Sequence, residues 1–337
     1  MQPSASQTVS GNETTIVNNT ISGYTTDITE TAAKVQPAIV IVRAYQEGAE
    51  ISAISGVVYS YTDKTAYIVT NASITNGASE LEVQFDNGEQ MKAEICGTDS
   101  LNDIALLKVK PEFDVAPIEL GDSDAATHGE YAIAIGGRSN DTQNSAISFG
   151  VISAPGQIVR TQTSEEITVN WVSSIVASDI AVNSSNTGGA LVNLNGELIG
   201  LLSRSISASS SVAGVSGSLA VNEIKIIAEQ LKNSTTVSRG YLGAIGTSIE
   251  DLTVYQKSSR SIPLDTASGV LVTYAEADSP AAMAGIAAGD VILQIQDFKI
   301  ADTQSLREAL YSLPAGTAAG VTILRNGEQT SVSVTLQ

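Results

Sequence analysis

The chain has 337 residues, enough for two or three domains that each bury their own core. It carries 17 basic and 36 acidic residues, a formal net charge of −19. That balance argues against a nucleic-acid binder, which presents a basic face, and against adhesion to an anionic membrane surface. Cys96 is the only cysteine, so no intrachain disulfide and no cysteine metal cluster can form, and its place in a predicted strand makes it a small core residue. No apolar run reaches the roughly 18 residues of a membrane span. The N-terminus also lacks the basic and apolar segments of a signal peptide, so either the protein is cytosolic or an export segment has been trimmed from it.

Residues 1–27 are rich in Ser, Thr, Asn and Gly, cannot bury enough surface to offset chain entropy, and read as a flexible tether. Glu30 to Val35 predicts a short helix ending before Pro37, and Ala38 to Ala44 a first strand. Further strands are predicted at Gly56–Tyr61, Ala66–Thr70, Leu81–Phe85, Gln90–Ile95, Ile104–Val109, Tyr131–Ile135 and Ile147–Ile152. Many short strands separated by turn signals, without a helical period between them, mean an all-β sandwich or a pair of barrels. Residues 138–174 read as polar and irregular, and Trp171 as a packing residue. Ser207–Ser218 reads as a mobile loop, Val221–Leu231 as a helix from its apolar spacing, and Asn233–Ser238 as a linker.

The most informative stretch is 183–197. Asn183-Ser184-Ser185-Asn186-Thr187 forms a loop, Gly188-Gly189 a tight turn, and Ala190-Leu191-Val192 a buried strand. Asn195-Gly196 predicts a type I′ hairpin turn into Leu198–Leu202. The stretch resembles the nucleophile loop of the HtrA/Deg branch of chymotrypsin-like serine proteases, which reads Gly-Asn-Ser-Gly-Gly, a small residue, Leu-Val-Asn and a hairpin. A second set of motifs points the same way: Tyr241-Leu242-Gly243, Ser279-Pro280-Ala281-Ala282, Gly289-Asp290-Val291-Ile292, a helix over Thr303–Leu313 and a last hairpin at Asn326-Gly327. These resemble the PDZ domain that follows the protease domain in that family. The resemblance covers roughly residues 30–337 and implies a mainly β protein: two six-stranded chymotrypsin-like barrels over 28–235, then a PDZ domain over 239–337.

Hydrolysis in this fold needs a nucleophile, a base, an orienting carboxylate and backbone N–H donors for the oxyanion. The family's base lies in a Thr-Asn-x-His run; here the run is Thr70-Asn71-Ala72-Ser73, and Ser73 stands in its place. Asp103 keeps the orienting carboxylate within Asp-Ile-Ala-Leu-Leu, Thr187 takes the nucleophile's position, and Ser185, beside Asn186, replaces the oxyanion-loop glycine. The sole histidine, His128, sits in a turn segment, and Asn102 and Asp103 are expected to hydrogen-bond Ser73. Asp99, Asp122 and Asp124 lack metal-site spacing, Gly136-Gly137 and Gly188-Gly189 are too short for phosphate loops, and no cofactor or metal is implied.

The resemblance implies that Tyr241, Leu242, Gly243 and Ala244 hold a peptide carboxylate, with Leu306 and Leu310 on the groove's far wall. The expectation is a catalytically inactive HtrA-like pseudoprotease that binds C-terminal or extended peptides of unfolded or envelope proteins. It implies an extracytoplasmic location through an export or anchor segment outside this sequence, and a homo-trimer or a mixed oligomer. Two alternatives stand beside it: a serine-type endopeptidase with weak residual activity through Thr187, and a regulatory partner of an active relative.

Overall fold

The computed structural model describes residues 26–138, 145–161, 171–209 and 214–337. The predicted tether lies outside them except for its last two residues. Helix α1 (Asp27–Val35) starts earlier than predicted because Thr26 caps it: its side chain accepts from Thr29 N while the Thr29 hydroxyl covers Thr26 N. A 3₁₀ turn through Pro37 leads into the first barrel.

That barrel comprises β1 (Ile39–Gln46), β2 (Ala49–Thr62), β3 (Thr65–Thr70), β4 (Glu80–Gln84), β5 (Gln90–Asp99) and β6 (Ile104–Val109), closed in the order β1-β2-β3-β6-β5-β4. Its inner core includes Val42, Val58, Ile68, Val83 and Leu107. Residues 39–44 of β1 are buried without alternation, because one face fills the barrel and Ile39 on the other joins the core between the barrels.

The second barrel uses β8 (Tyr131–Arg138), β9 (Ser145–Thr161), β10 (Trp171–Ser178), β11 (Ala190–Val192), β12 (Glu197–Leu202) and β13 (Ser216–Ala220). The pairing of β11 with β12 closes it, and the two-residue β7 (Glu119–Leu120) adds to β12 in parallel. Three sequence expectations change here. The strand predicted at Ile147–Ile152 runs on to Thr161, through residues expected to be irregular, and pairs with both β8 and β10; the side chain of Trp171 lies outside the description. The loop expected over 207–218 is instead the end of α2 (Arg204–Ser209) and the start of β13, with 210–213 outside the described residues. The Asn195-Gly196 turn is not type I′, since only Gly196 has positive φ. It is a longer loop fixed by Asn193, whose Oδ1 accepts from Asn195 N and Glu197 N at 3.0 Å each. A true two-residue turn of that type occurs at Asn326-Gly327, both with positive φ, between paired Arg325 and Glu328.

Helix α3 (Val221–Asn233) covers both barrels with Ile224, Ile227, Ala228 and Leu231. Cys96 packs half-buried against this core, and burial raises its thiol pKa. After the linker, a sheet of β14 (Ala244–Ser248), β15 (Val270–Ala275), β16 (Val291–Ile295), β18 (Ala318–Arg325) and β19 (Glu328–Thr335) follows, with β17 (Phe298–Lys299) paired to β16. Helices α4 (Val254–Ser259), α5 (Pro280–Met283) and α6 (Thr303–Ser312) complete it. The core of this unit includes Leu242, Val272, Ile292, Ala309, Val321 and Leu336. Yet Tyr311 of α6, 4% exposed, sits in the same core cluster as barrel residues such as Ile224 and Leu231.

Replacing Asn193 by Ala removes two backbone acceptor contacts and the bond to Glu197. It is expected to lower stability by about 1–2 kcal/mol, read as a lower urea midpoint at unchanged slope.

Candidate functional site

The loop 183–189 lies where the two barrels meet. Gly188 takes φ +79°, and a Cβ there would collide with the carbonyl oxygen of Ser55 on β2. A Cβ on Gly136 of β8 would lie 2.5 Å from Ser185 O. The loop is further tied by Ser55 N donating to Thr187 O at 3.0 Å and Gly188 N to Leu202 O at 2.7 Å. Glycine is therefore required for close backbone approach here, and no phosphate-binding role is needed to explain it.

Thr187 is 8% exposed. Its hydroxyl donates to Asn71 Oδ1 at 2.7 Å and accepts from Arg204 N at 3.3 Å. Asn71, 1% exposed, in turn donates through Nδ2 to the backbone oxygen of Asp103 at 3.3 Å. The acceptor facing the Thr187 hydroxyl is thus a neutral amide oxygen, which cannot take up a proton near neutral pH. The Asp103 carboxylate points elsewhere: Oδ2 accepts from the hydroxyls of Ser203 and Ser205 at 2.7 Å each, and Oδ1 from Ser73 N at 3.2 Å. Asp103 has φ 49°, a left-handed conformation that aspartate tolerates better than most residues.

The backbone donors are turned inward as well. Thr187 N donates to Asn183 O at 2.9 Å, Asn186 N to the same oxygen at 3.3 Å, and Ser185 N to Asn183 Oδ1 at 2.9 Å. The Ser185 hydroxyl follows at 2.5 Å, and Asn186 returns bonds to Asn183 N and Ala181 O. Residues 183–187 form one closed turn in which the nucleophile-position N–H and its partner two residues earlier already have acceptors.

The structure brings Ser73, Asp103 and Thr187 to one site, as the family resemblance implies. Asn71, Ser203 and Ser205, which make its actual hydrogen bonds, were not singled out beforehand. Asn71 lies inside the quoted Thr-Asn-x-Ser run; the serines carried no signal because their role depends on α2. Asn102 does not bond Ser73. Its Nδ2 donates to Asp99 Oδ2 at 2.7 Å and to the Tyr311 hydroxyl at 3.0 Å, and it accepts from Ser173 at 2.5 Å. His128 is exposed in a turn. Asp122 accepts from Asn222, which lowers its pKa, and Asp99 pairs with Arg239 at 2.6 Å. Among the described residues no group of three or more His, Cys, Asp or Glu could hold a metal.

In the C-terminal unit β14 is an edge strand, so one side of it is open to strand addition. The N–H groups of Leu242 and Gly243 donate to no acceptor among the described residues. Tyr241 N is already committed to Gln337 O at 2.6 Å, and its hydroxyl donates to Glu276. Leu242 is 2% exposed and belongs to the core, so its side chain does not line the groove. On α6, Leu306 is also a core residue, while Leu310 is partly buried against that core. Ala244 starts the edge strand opposite Ala275.

A trypsin-like peptidase domain model matches residues 54–201 and a PDZ domain model residues 243–336. The chain is 31% identical over 296 residues to the serine protease Do-like HtrA of Lactobacillus helveticus, covering 87% of this chain and 69% of that protein. It is 30% identical over 356 residues to the protein of that name in Lactococcus lactis subsp. cremoris, covering 97% and 86%. The match to periplasmic serine endoprotease DegP of Escherichia coli is 32% identical over 84% of this chain but spans only 56% of that relative. Among solved structures, the serine endoprotease from Yersinia pestis superposes with TM-score 0.60, 27% identity and coverage of 94% and 99%. HtrA-type protease AlgW with a tripeptide gives 0.65, 26%, 91% and 97%.

Ser203 both bonds the Asp103 carboxylate and receives Ile206 N at the start of α2. Ser203→Ala is expected to cost about 1.5–3 kcal/mol in urea unfolding, the range for bonds to a charged group. In an Asp103→Asn background the same change should cost clearly less, and equal costs would show that the two residues do not act together.

Proposed function

The chain belongs to the HtrA family, with a trypsin-like protease domain followed by a PDZ domain, and from that premise we propose that it is a pseudoprotease that binds peptides rather than cutting them. The observation that carries the reading is the Thr187 hydroxyl, which donates to an amide oxygen while its own N–H donates to Asn183 O. Acyl transfer requires a base for the nucleophile's proton and free N–H donors at the oxyanion. Ser73 supplies no basic nitrogen, and the donors of Ser185 and Thr187 are bonded within the loop. The relatives are named as proteases, and the reading departs from those names on the hydrogen bonds of Thr187 and Asp103.

Peptide binding is assigned to the PDZ unit, 239–337. The N–H groups of Leu242 and Gly243, without an acceptor among the described residues, suit a terminal carboxylate, and β14 offers the edge on which an extended peptide adds as a strand. Structures of the related AlgW contain bound peptides, which supports the same mode here. The barrels, 28–235, act as its scaffold. By the periplasmic naming of the DegP relatives, we assign an extracytoplasmic location. Tyr131 and Phe149, 52% and 44% exposed with ring centroids 5.1 Å apart, form with Ile147 an apolar patch on the second barrel. We assign that patch to self-association of the chain, or to mixed assembly with an active relative.

Three measurements test these assignments. The wild type is expected to show no casein cleavage and no labelling by a fluorophosphonate. Ser73→His with Thr187→Ser should restore little until Ser185→Gly is added, since a missing oxyanion donor costs about 3–4 kcal/mol. Wild-type turnover abolished by Thr187→Ala would instead establish a threonine protease. Amidating the C-terminus of a bound decapeptide should weaken binding at least about tenfold, or ~1.4 kcal/mol; equal affinities would remove the carboxylate-loop assignment. Light scattering after size exclusion should find an oligomer that Phe149→Glu converts to monomer, and a monomeric wild type would refute the patch assignment.

A further inference from the structure

Helix α6 has two working faces. Leu306 and Ala309 pack into the PDZ core, and its first turn is tied to the end of β14 by Thr303 N donating to Ser248 Oγ at 3.1 Å. Its other face carries Gln304, Arg307 and Tyr311, spaced three and four residues apart and therefore aligned. All three reach the barrel unit. Gln304 donates to Asp124 at 2.5 Å, and Arg307 pairs with Glu223 of α3 at 3.3 Å. The Tyr311 hydroxyl donates to Glu223 Oε1 at 2.5 Å and accepts from Asn102.

Glu223 is the centre of this contact. It is 4% exposed, and its Oε2 also accepts from Ser174 N at 2.9 Å, so the carboxylate is tied to β10 as well as to α6. Burial and the Glu223 charge hold the Tyr311 phenol well above its ordinary pKa, which keeps it a donor across the working pH range. Beside it Arg239 pairs with Asp99 and lies over the Tyr311 ring at 5.2 Å. The wall of the peptide groove is thus clamped from behind by another domain.

We infer that Glu223 of the barrel unit is a positioning residue for the PDZ groove, holding α6 at the distance from β14 that an incoming peptide requires. The inference rests on the peptide-binding reading above and adds to it the residue that sets affinity from outside the groove. Glu223 is too deeply enclosed by the barrel and α6 to touch the peptide, so it acts only through Tyr311 and Arg307. Loss of the clamp lets α6 sample positions in which the groove is closed or splayed, and apparent affinity falls by the fraction of molecules still competent.

The test uses the full chain and a fluorescein-labelled decapeptide ending in Leu-Val with a free carboxylate, beside its amidated twin. Tyr311→Phe, which keeps the ring and removes only the hydroxyl, and Glu223→Gln are each expected to weaken the free-acid peptide about five- to tenfold, as a competent fraction of about 0.1–0.2 requires. The double variant should lose no more than the larger single loss, because both act on one contact. Hydrogen exchange should quicken over 303–312 and 244–248 and stay unchanged over 318–335. Ile227→Val, a buried change on the same helix α3, should leave the affinity alone and so excludes a general effect of weakening the barrel. Wild-type affinity in both Tyr311→Phe and Glu223→Gln, with unchanged exchange in α6, overturns the inference while leaving peptide binding intact. A wild type that binds acid and amide equally removes the peptide-groove reading itself and the inference with it.

Discussion

The geometry around Thr187 follows from where the backbone of residues 183–187 sends its hydrogen bonds. A chymotrypsin-like site works only if two N–H groups of this loop are left without partners, which is tolerable when the loop is held from outside. Here Asn183 gathers those donors onto its own carbonyl and side chain. The closed turn is supported by the barrels on both sides, through Ser55 on β2 and the close approach of Gly136 on β8. The same rigidity that in a protease would present an oxyanion site serves in this chain to keep the loop satisfied and shut.

The rest of the site has been filled in a chemically consistent way. A buried carboxylate that has lost an imidazole partner still needs donors, and Asp103 finds them in the hydroxyls of Ser203 and Ser205 and the N–H of Ser73. A buried hydroxyl without a base still needs an acceptor, and Thr187 uses Asn71. The buried polar groups of Asp103 and Thr187 all have partners. The site is therefore a stable part of the junction between the barrels.

Much of this was legible in the amino-acid sequence where the signal is local. The predicted strand Ile104–Val109 has the boundaries the structure shows and helix α3 follows from its apolar spacing, while the nucleophile loop and the PDZ motifs are carried by the family resemblance. The misses share a cause. β2 extends back to Ala49 through exposed residues, Ala49 to Ala53, that pairing with β1 makes a strand. The serine-rich run from Ser207, which closes α2, reads as a loop because serine competes locally with helical bonds. It is helical because Ser203 caps it and because Ser203 and Ser205 answer to Asp103, about a hundred residues away. Asn102 was assigned a neighbour in the site, and its partner lies 209 positions along the chain. A pattern within one segment cannot report such a pairing.

The insertion of Tyr311 into the barrel core also bears on how the molecule can change over time. The two units meet at a short linker in the sequence, yet a side chain of the second completes the hydrophobic interior of the first. Cutting at the linker would expose that ring on one piece and leave a hole in the other, so the linker is not a seam along which folded halves separate. The barrel interior and the PDZ unit are thus one packing problem: a change of volume at Ile224 or Leu231 also alters the seat of Tyr311.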